Sequence, residues 1–304
     1  MLRLVEAPLG RPGREEALVR IVAAAINPAD LAFIGGRYGV RPQLPATPGF
    51  EAAGVVEEVG EGVADLHPGD RVILALGAGR GQGTWRSHLV APAAALLPTP
   101  ERLSDQQAGA ALVTSLTALA LLDLLALPAG SALLVTAPWS STGIALGQLA
   151  ETYGLRLFGL ARRPMSAPPG YHAVAVWPAW QELDEGRFAA ALDCVAGEWT
   201  AACLEAVEAG GEVVTYGALS GQSGIVDPEQ IIYGEKRLRG FWLHRWLAAA
   251  SPLERDARYA LALAYLGAGN LDPVVARAFP LNDVQSACRF ASEPGRVGKV
   301  VLLP

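Results

Sequence analysis

A single tyrosine, Tyr38, sits between glycines in the stretch INPADLAFIGGRYG, which contains neither cysteine nor histidine. A phenol there can offer a neutral, donatable proton, since its unperturbed pKa is about 10; a loop tyrosine anchoring a turn accounts for the same residue. Further along, the turn Ala137-Pro138-Trp139-Ser140-Ser141-Thr142-Gly143 lies between the apolar run SALLVTA and the segment IALGQLAETYG. A strand, a small-residue turn and a helix start form the usual receptor for a pyrophosphate, because free backbone N–H groups and the helix dipole both favour an anion. Only Gly143 survives from a G-x-G-x-x-G pattern, so an ordinary turn capped by Ser140 or Ser141 is the competing reading. The next strand, LRLFGLA, ends at Arg162 and Arg163. An acid in that place selects a ribose 2'-hydroxyl, whereas two guanidinium forks suit a 2'-phosphate, so NADPH is expected over NADH. A solvated basic pair is the alternative.

Elements must carry these groups. From Ala17 to about Pro100, short apolar or alternating runs (ALVRIVAAAI, GFEAAGVVEEVG, HPGDRVILAL, WRSHLVAP) are separated by Gly/Pro punctuation, which predicts a small all-β unit with a turn at Pro68-Gly69 and a strand over Val72–Leu76. SDQQ after Leu103 predicts a helix start at Ser104, and the pattern then alternates between helices and apolar strands. Strands are expected at SALLVTA, LRLFGLA, AALDCVA, GEVVTYGA and RLRGFWL, with a helix at WTAACLEAVEAG, a proline-rich loop over PMSAPPGYHAV, a long amphipathic helix at SPLERDARYALALAYLGAGN and a closing strand GKVVLLP. Repeated βαβ units imply a parallel, doubly wound sheet. The fold class is therefore α/β, with a β-rich domain over 1–108, a Rossmann-type domain over 109–250, and 251–304 returning to the first; a cleft between domains is the default ligand site.

Totals limit the function. With 304 residues, 51% of them hydrophobic, the chain can bury a substantial core. A net charge of -6 and a pI near 5.3 imply no nucleic-acid or anionic-membrane partner. The segment Ala110–Leu127 approaches a membrane span in length, but Thr114, Ser115, Thr117 and Asp123 interrupt it, so a buried helix is expected. Cys194, Cys203 and Cys288 are isolated, and the N-terminus resembles neither a signal nor a transit peptide, so a reducing, cytoplasmic location is expected.

From Ala24 to Leu303 the chain resembles the medium-chain dehydrogenase/reductase superfamily, in its zinc-free branch of quinone reductases and 2-enoyl thioester reductases. The resemblance is carried by INPADLAFIGGRYGVRPQLPATPGFEAAGVVEEVG, GTWRSH, VVTYGALSGQ and RLRGFWLHRW; the last two look more like the enoyl reductases. It implies a GroES-like catalytic domain before the Rossmann-type one. Zinc-using relatives carry Cys within the segment that reads Ile26–Asp30 here, and His at Phe50. With His67, His88, His172 and His244 scattered singly, no set of about three protein ligands is expected for a catalytic zinc.

The resemblance further implies that Tyr38 is the catalytic residue, stabilising and protonating the enolate formed when hydride reaches the β-carbon of an enoyl thioester. Trp85 would shape the substrate cleft, with simple packing as its alternative. The dinucleotide NADPH would be held by Thr114 near the nicotinamide, Trp139, Ser140, Ser141 and Thr142 at the pyrophosphate, Arg162 and Arg163 at the 2'-phosphate, then Tyr216, Gly217, Ala218 and Leu219, Phe241, Trp242 and Leu243, and Lys299. Departures from the family pattern lie at Thr114-Ser115, at the serines of the turn and after Arg163. Substrates would be enoyl-CoA or enoyl carrier protein, and Lys236, Arg237, Arg239 and Arg245 could meet phosphates of the acyl carrier or of CoA, with solvated charges flanking a strand as the alternative. A quinone or enone reductase, and a non-catalytic protein with a decayed cofactor loop, are the alternatives. A homodimer associated through the sheet edge is implied as well.

Overall fold

The computed structural model describes residues 2–74, 83–183 and 186–304. In chain order the elements are β1 (Glu16–Ile26), α1 (Pro28–Ile34), β2 (Ala52–Val59), β3 (Arg71–Leu74), β4 (His88–Pro92), β5 (Leu96–Pro98), α2 (Asp105–Ala108), α3 (Leu112–Leu125), β6 (Ala132–Thr136), α4 (Ser141–Leu149), β7 (Arg156–Ala161), β8 (Tyr171–Val176), β9 (Phe188–Asp193), α5 (Glu198–Ala206), β10 (Val207–Thr215), α6 (Pro228–Ile232), β11 (Arg237–Gly240), α7 (Leu243–Ala248), α8 (Pro252–Ala268), β12 (Val275–Pro280), α9 (Val284–Ser292) and β13 (Lys299–Leu303). Two compact units result: Met1–Thr114 with Leu261–Pro304, and Ser115–Ala260.

The first unit is built on a seven-stranded sheet in the order β12-β13-β1-β2-β3-β5, with β4 also paired to β1. The long strand β1 organises it. Its inward residues Ala17, Val19 and Ile21 are almost wholly buried, and its end pairs antiparallel with β13, Ala24 opposite Leu302 and Ile26 opposite Val300. Trp85, Leu89, Phe279 and Ala287 complete that core.

The unit is not all-β, as the sequence pattern predicts, because α1 interrupts it. Asn27 caps α1, Pro28 opens it, and Asp30 at its third position reaches back to the cap in a reciprocal capping box, so the helix start was encoded in INPAD. Of the strand expected over Val72–Leu76, residues up to Leu74 form β3, while Ala75 and Leu76 lie outside the described residues.

The second unit carries a six-stranded sheet in the order β11-β10-β9-β6-β7-β8, every pair parallel. Read from β8, the strands run third, second, first, fourth, fifth, sixth, the doubly wound arrangement in which ligands bind at the carboxyl ends of the strands where the order reverses. That reversal falls between β6 and β9, and there the buried Asp193 joins them. Its Oδ1 accepts from the Thr136 hydroxyl at 3.0 Å and from the Val195 and Ala196 amides, and its Oδ2 accepts from Thr200 at 2.7 Å. With four donors this carboxylate is well satisfied, as a buried charge must be.

Three boundaries differ from the sequence reading. Residues expected to continue the proline-rich loop, Tyr171 onward, form β8: once past the prolines the alternating run YHAVAV pairs with β7, and Tyr171 is buried. The helix expected through Gly210 stops at Ala206, because Val207 is extended and pairs with Phe188 of β9 as the first residue of β10. The strand expected over RLRGFWL ends at Gly240, and Leu243 opens α7. Helix α3 spans 14 residues, and no helix among the described residues is long and apolar enough to cross a membrane.

Candidate active site

In the first unit the start of α1 is wrapped around buried polar groups. The Asn27 amide donates to Asp30 Oδ2 at 2.7 Å, and the Asn27 side chain donates to Glu51 Oε1 at 3.0 Å. Glu51 Oε2 accepts from the Val113 amide at 2.8 Å, while its backbone carbonyl accepts from the Thr84 hydroxyl. Lys299, at the start of β13, donates to Asn27 Oδ1 and lies 3.9 Å from Glu51 Oε1. Burial pushes the Asp30 carboxyl up to about 7, the Glu51 charge adding to it and the Asn27 and Lys299 contacts opposing it. The same burial lowers the Lys299 ammonium, with Glu51 and Asp30 pulling the other way. One carboxylate, one readily protonated carboxyl and one ammonium thus share a site that water barely reaches. Lys299, for which the family resemblance implies a cofactor contact, here joins Asn27, Asp30 and Glu51, which no motif in the sequence marks as its partners.

Tyr38 follows α1 after the Gly35-Gly36 pair, with Gly36 at φ +69°. Its half-buried ring lies 4.9 Å from that of Phe50 at 44°, and Phe50 meets Phe33 edge-on at 5.9 Å. Phe50 is held by its neighbours: Gly49 takes φ +112°, and a β-carbon there would fall 2.6 Å from the Trp85 ring and 2.7 Å from the Thr84 amide nitrogen. Trp85, expected to shape the substrate cleft, is 6% exposed and spends its indole N–H on the Ala25 carbonyl at 2.9 Å; it packs in the core of the first unit.

Thr114, in the first turn of α3, adjoins the Val113 amide that Glu51 holds. Its hydroxyl is buried without a hydrogen-bond partner among the described residues. An orphaned buried hydroxyl costs free energy unless a ligand completes it, which fits the expected contact with a nicotinamide.

The second unit supplies the phosphate turn. Ser140 caps α4 by accepting from the Gly143 amide at 3.1 Å. Ser141 and Thr142 occupy the first two helical positions, whose N–H groups have no acceptor within the helix. Gly143 is required: a β-carbon there would lie 2.5 Å from the Pro138 carbonyl oxygen. Ala137 turns the chain at φ +51°, and Trp139 donates from its indole to the Ser166 carbonyl at 2.8 Å. Arg162 and Arg163 are exposed at the end of β7. The substituted serine thus serves as a cap, and the donor set (helix N–H groups and two guanidinium groups) fits a dinucleotide bearing three phosphates.

Tyr216, Gly217, Ala218 and Leu219 leave the carboxyl end of β10 beside that of β9: the Tyr216 amide donates to the Asp193 carbonyl at 2.9 Å, the Leu219 amide to the Cys194 carbonyl at 3.0 Å, and a β-carbon on Gly217 would lie 2.7 Å from that same carbonyl. Burial drives the Tyr216 and Tyr171 phenols and the Cys194 thiol upward, Cys194 to about 11, so all three stay protonated. Phe241 joins this edge through its amide on the Thr215 carbonyl at 2.9 Å, and Trp242 and Leu243 follow it into α7. Of the charges expected to meet carrier phosphates, Lys236 is spent, its buried ammonium donating to the Leu204 carbonyl at 2.6 Å and to Gln230; Arg237, Arg239 and Arg245 are exposed. Among the described residues no group of three or more His, Cys, Asp or Glu could hold a metal ion.

The cofactor residues expected in the second unit thus follow the carboxyl ends of β6, β7, β10 and β11, and Tyr38, Trp85, Thr114 and Lys299 belong to the first unit. Residues 13–101 match the alcohol dehydrogenase GroES-like domain family and residues 171–302 the zinc-binding dehydrogenase family. The human mitochondrial enoyl-[acyl-carrier-protein] reductase is 31% identical over 93% of this chain and 80% of its own length. The human synaptic vesicle membrane protein VAT-1 homolog is 29% identical over 96% of this chain and 80% of its own. The quinone oxidoreductase of Thermus thermophilus, solved also in complex with NADPH, superposes with a TM-score of 0.82 at 28% identity, covering 99% of this chain and 96% of that one. The chain belongs to the medium-chain dehydrogenase/reductase superfamily of oxidoreductases, among relatives that include both enoyl reductases and quinone oxidoreductases.

Proposed function

We propose that the protein reduces the carbon–carbon double bond of 2-enoyl thioesters, enoyl-CoA or enoyl carrier protein, with NADPH as the reductant and Tyr38 as proton donor. The observation that carries this reading is the tyrosine itself, presented after α1 against Phe50, in a chain whose relatives include an enoyl-[acyl-carrier-protein] reductase. NADPH, when bound, would supply the hydride that the substrate β-carbon receives. The charge that this step pushes onto the thioester carbonyl needs a donor, and the Tyr38 hydroxyl meets that need as a neutral phenol, a contribution on the order of 3 kcal/mol for one oxyanion contact. A proton then reaches the α-carbon from the same hydroxyl, which solvent recharges. Thr114, whose hydroxyl has no partner among the described residues, would face the nicotinamide, the α4 N–H groups would hold the pyrophosphate, and Arg162 and Arg163 would hold the 2'-phosphate. Tyr38→Phe should lower crotonyl-thioester turnover by roughly a hundredfold or more with the NADPH dissociation constant unchanged; turnover at the wild-type rate removes tyrosine from the mechanism.

The likeness to a quinone oxidoreductase supports a second reading, turnover of a quinone or enone on the same scaffold. Side-by-side rates with crotonyl-CoA and a small quinone separate the two, because a quinone can accept hydride without a protonated Tyr38. We also read β11, the exposed outermost strand of the second sheet, as the edge on which a second copy adds to give a homodimer; sedimentation of Leu238→Lys against wild type tests it. Exposed Arg237, Arg239 and Arg245 are the remaining candidate contacts for phosphates of an acyl carrier or CoA.

A further inference from the structure

The segment 162–170 runs from β7 to β8 without a helix. Three of its residues, Pro164, Pro168 and Pro169, lack an N–H, so regular backbone hydrogen bonding cannot fix its course. It is nonetheless fastened to the phosphate turn and α4. The far end is tied by the buried Tyr171 hydroxyl, which donates to the Gly143 carbonyl at 2.9 Å, and by close backbone packing in which β-carbons on Gly147 or Gly170 would run into Pro169 and Gly147 respectively. The near end, which begins with the exposed Arg162 and Arg163, is tied by a side chain of the phosphate turn itself: Trp139 donates its indole N–H to the Ser166 carbonyl at 2.8 Å.

We propose that Trp139 is a specificity-determining residue, which by holding Ser166 fixes the course of the arginine-bearing segment relative to the phosphate turn and so sets the preference for a 2'-phosphorylated dinucleotide. The inference rests on the reading that Arg162 and Arg163 take the 2'-phosphate. Guanidinium groups on a tethered backbone lose less freedom on binding than those on an untethered one, so the tether strengthens contacts that they alone make. The pyrophosphate contacts of the α4 amides are common to NADPH and NADH and do not depend on Ser166. Loss of the indole N–H therefore acts on one dinucleotide and spares the other, whereas a residue that merely supported the turn would act on both.

Titration calorimetry of the full chain with NADPH and with NADH tests this on wild type, Trp139→Phe, Trp139→Ala and the double variant Arg162→Ala/Arg163→Ala. Trp139→Phe keeps an aromatic ring without the donor; its NADPH affinity should fall about tenfold, the size of one good hydrogen bond, with NADH affinity within about twofold of wild type. Trp139→Ala should lower the NADPH/NADH ratio at least as far, and the double variant should abolish the preference. If the double variant loses the preference while both Trp139 variants keep it, or if Trp139→Phe weakens both dinucleotides equally, the role of Trp139 is overturned and that of the arginines stands. A double variant with the wild-type preference overturns the arginine reading and the tether with it.

Discussion

Asp30→Asn isolates one buried ionisation. The carboxyl is fully buried, its Oδ2 accepts from the Asn27 amide at 2.7 Å, and its Oδ1 has no partner among the described residues. Burial, reinforced by Glu51, raises it from an ordinary 3.8 to about 7. A carboxyl whose folded pKa is raised binds its proton more tightly in the native state than in the unfolded chain, so its contribution favours folding below the unfolded value and is lost as pH rises through the folded one. Putting those two values into the linkage relation, this group alone removes roughly 3 kcal/mol of stability between about pH 5 and about pH 8.5. Asparagine keeps an acceptor for the Asn27 amide and has no proton to lose. The stability of Asp30→Asn relative to wild type, from urea unfolding at both pH values, should therefore move by roughly 3 kcal/mol in favour of the variant on going to the higher pH. Titrating groups that do not interact with Asp30 cancel in that difference. An identical difference at the two pH values would falsify the burial argument, because the carboxyl would then ionise alike in both states.

Gly49→Ala should destabilise the first unit by about 3 kcal/mol or more, since a β-carbon at φ +112° meets backbone and the Trp85 ring; a urea midpoint equal to wild type would show that the approach of Gly49 to Thr84 and Trp85 is loose. Glu51→Gln must turn an amide donor toward either Asn27 Nδ2 or the Val113 amide, costing about 1–3 kcal/mol, and Glu51→Asp, too short to bridge both, should not restore it in the same unfolding assay. Thr114→Val loses no hydrogen bond and should leave stability within about 0.5 kcal/mol of wild type while weakening NADPH; calorimetry showing unchanged affinity would release the hydroxyl from any cofactor role.

What the sequence made legible is what local patterning encodes. The capping box at Ser104 and Gln107 starts α2 where SDQQ places it, and the apolar runs at Ala132–Thr136 and Arg156–Ala161 pair as adjacent parallel strands. Where local structure departs from the sequence pattern the causes are local: the prolines of PMSAPPGYHAV point to a loop through Val174 that hides the start of β8, and in INPAD the Asn, Pro and Asp sit at the cap, first and third positions of a helix. The polar cluster was illegible for a different reason. Asn27 meets Glu51 across 24 residues and Lys299 across 272, and no spacing rule links residues that only the pairing of β1 with β2 and with β13 brings together. The orphaned hydroxyl of Thr114 is likewise a property of its surroundings and has no sequence signature.

The two places where zinc-using relatives carry Cys and His are occupied here by groups with a joint physical role. Asn27 and Asp30 turn inward to a cluster that includes Glu51 and Lys299, and Phe50, one residue before Glu51, supports the ring of Tyr38. Residues 50 and 51 therefore face two tasks at once: the aromatic ring stands against the proposed proton donor, and the carboxylate beside it anchors the first turns of α1 and α3, the latter carrying Thr114. A single return to His at Phe50 would supply at most one of about three ligands that a catalytic zinc requires and would replace the apolar face against Tyr38 by a titratable imidazole. Phe50→His should consequently lower thioester turnover without gaining zinc-dependent activity, measured with and without added zinc; a variant that zinc activates would mean that the cluster behind residue 50 can rearrange to supply ligands.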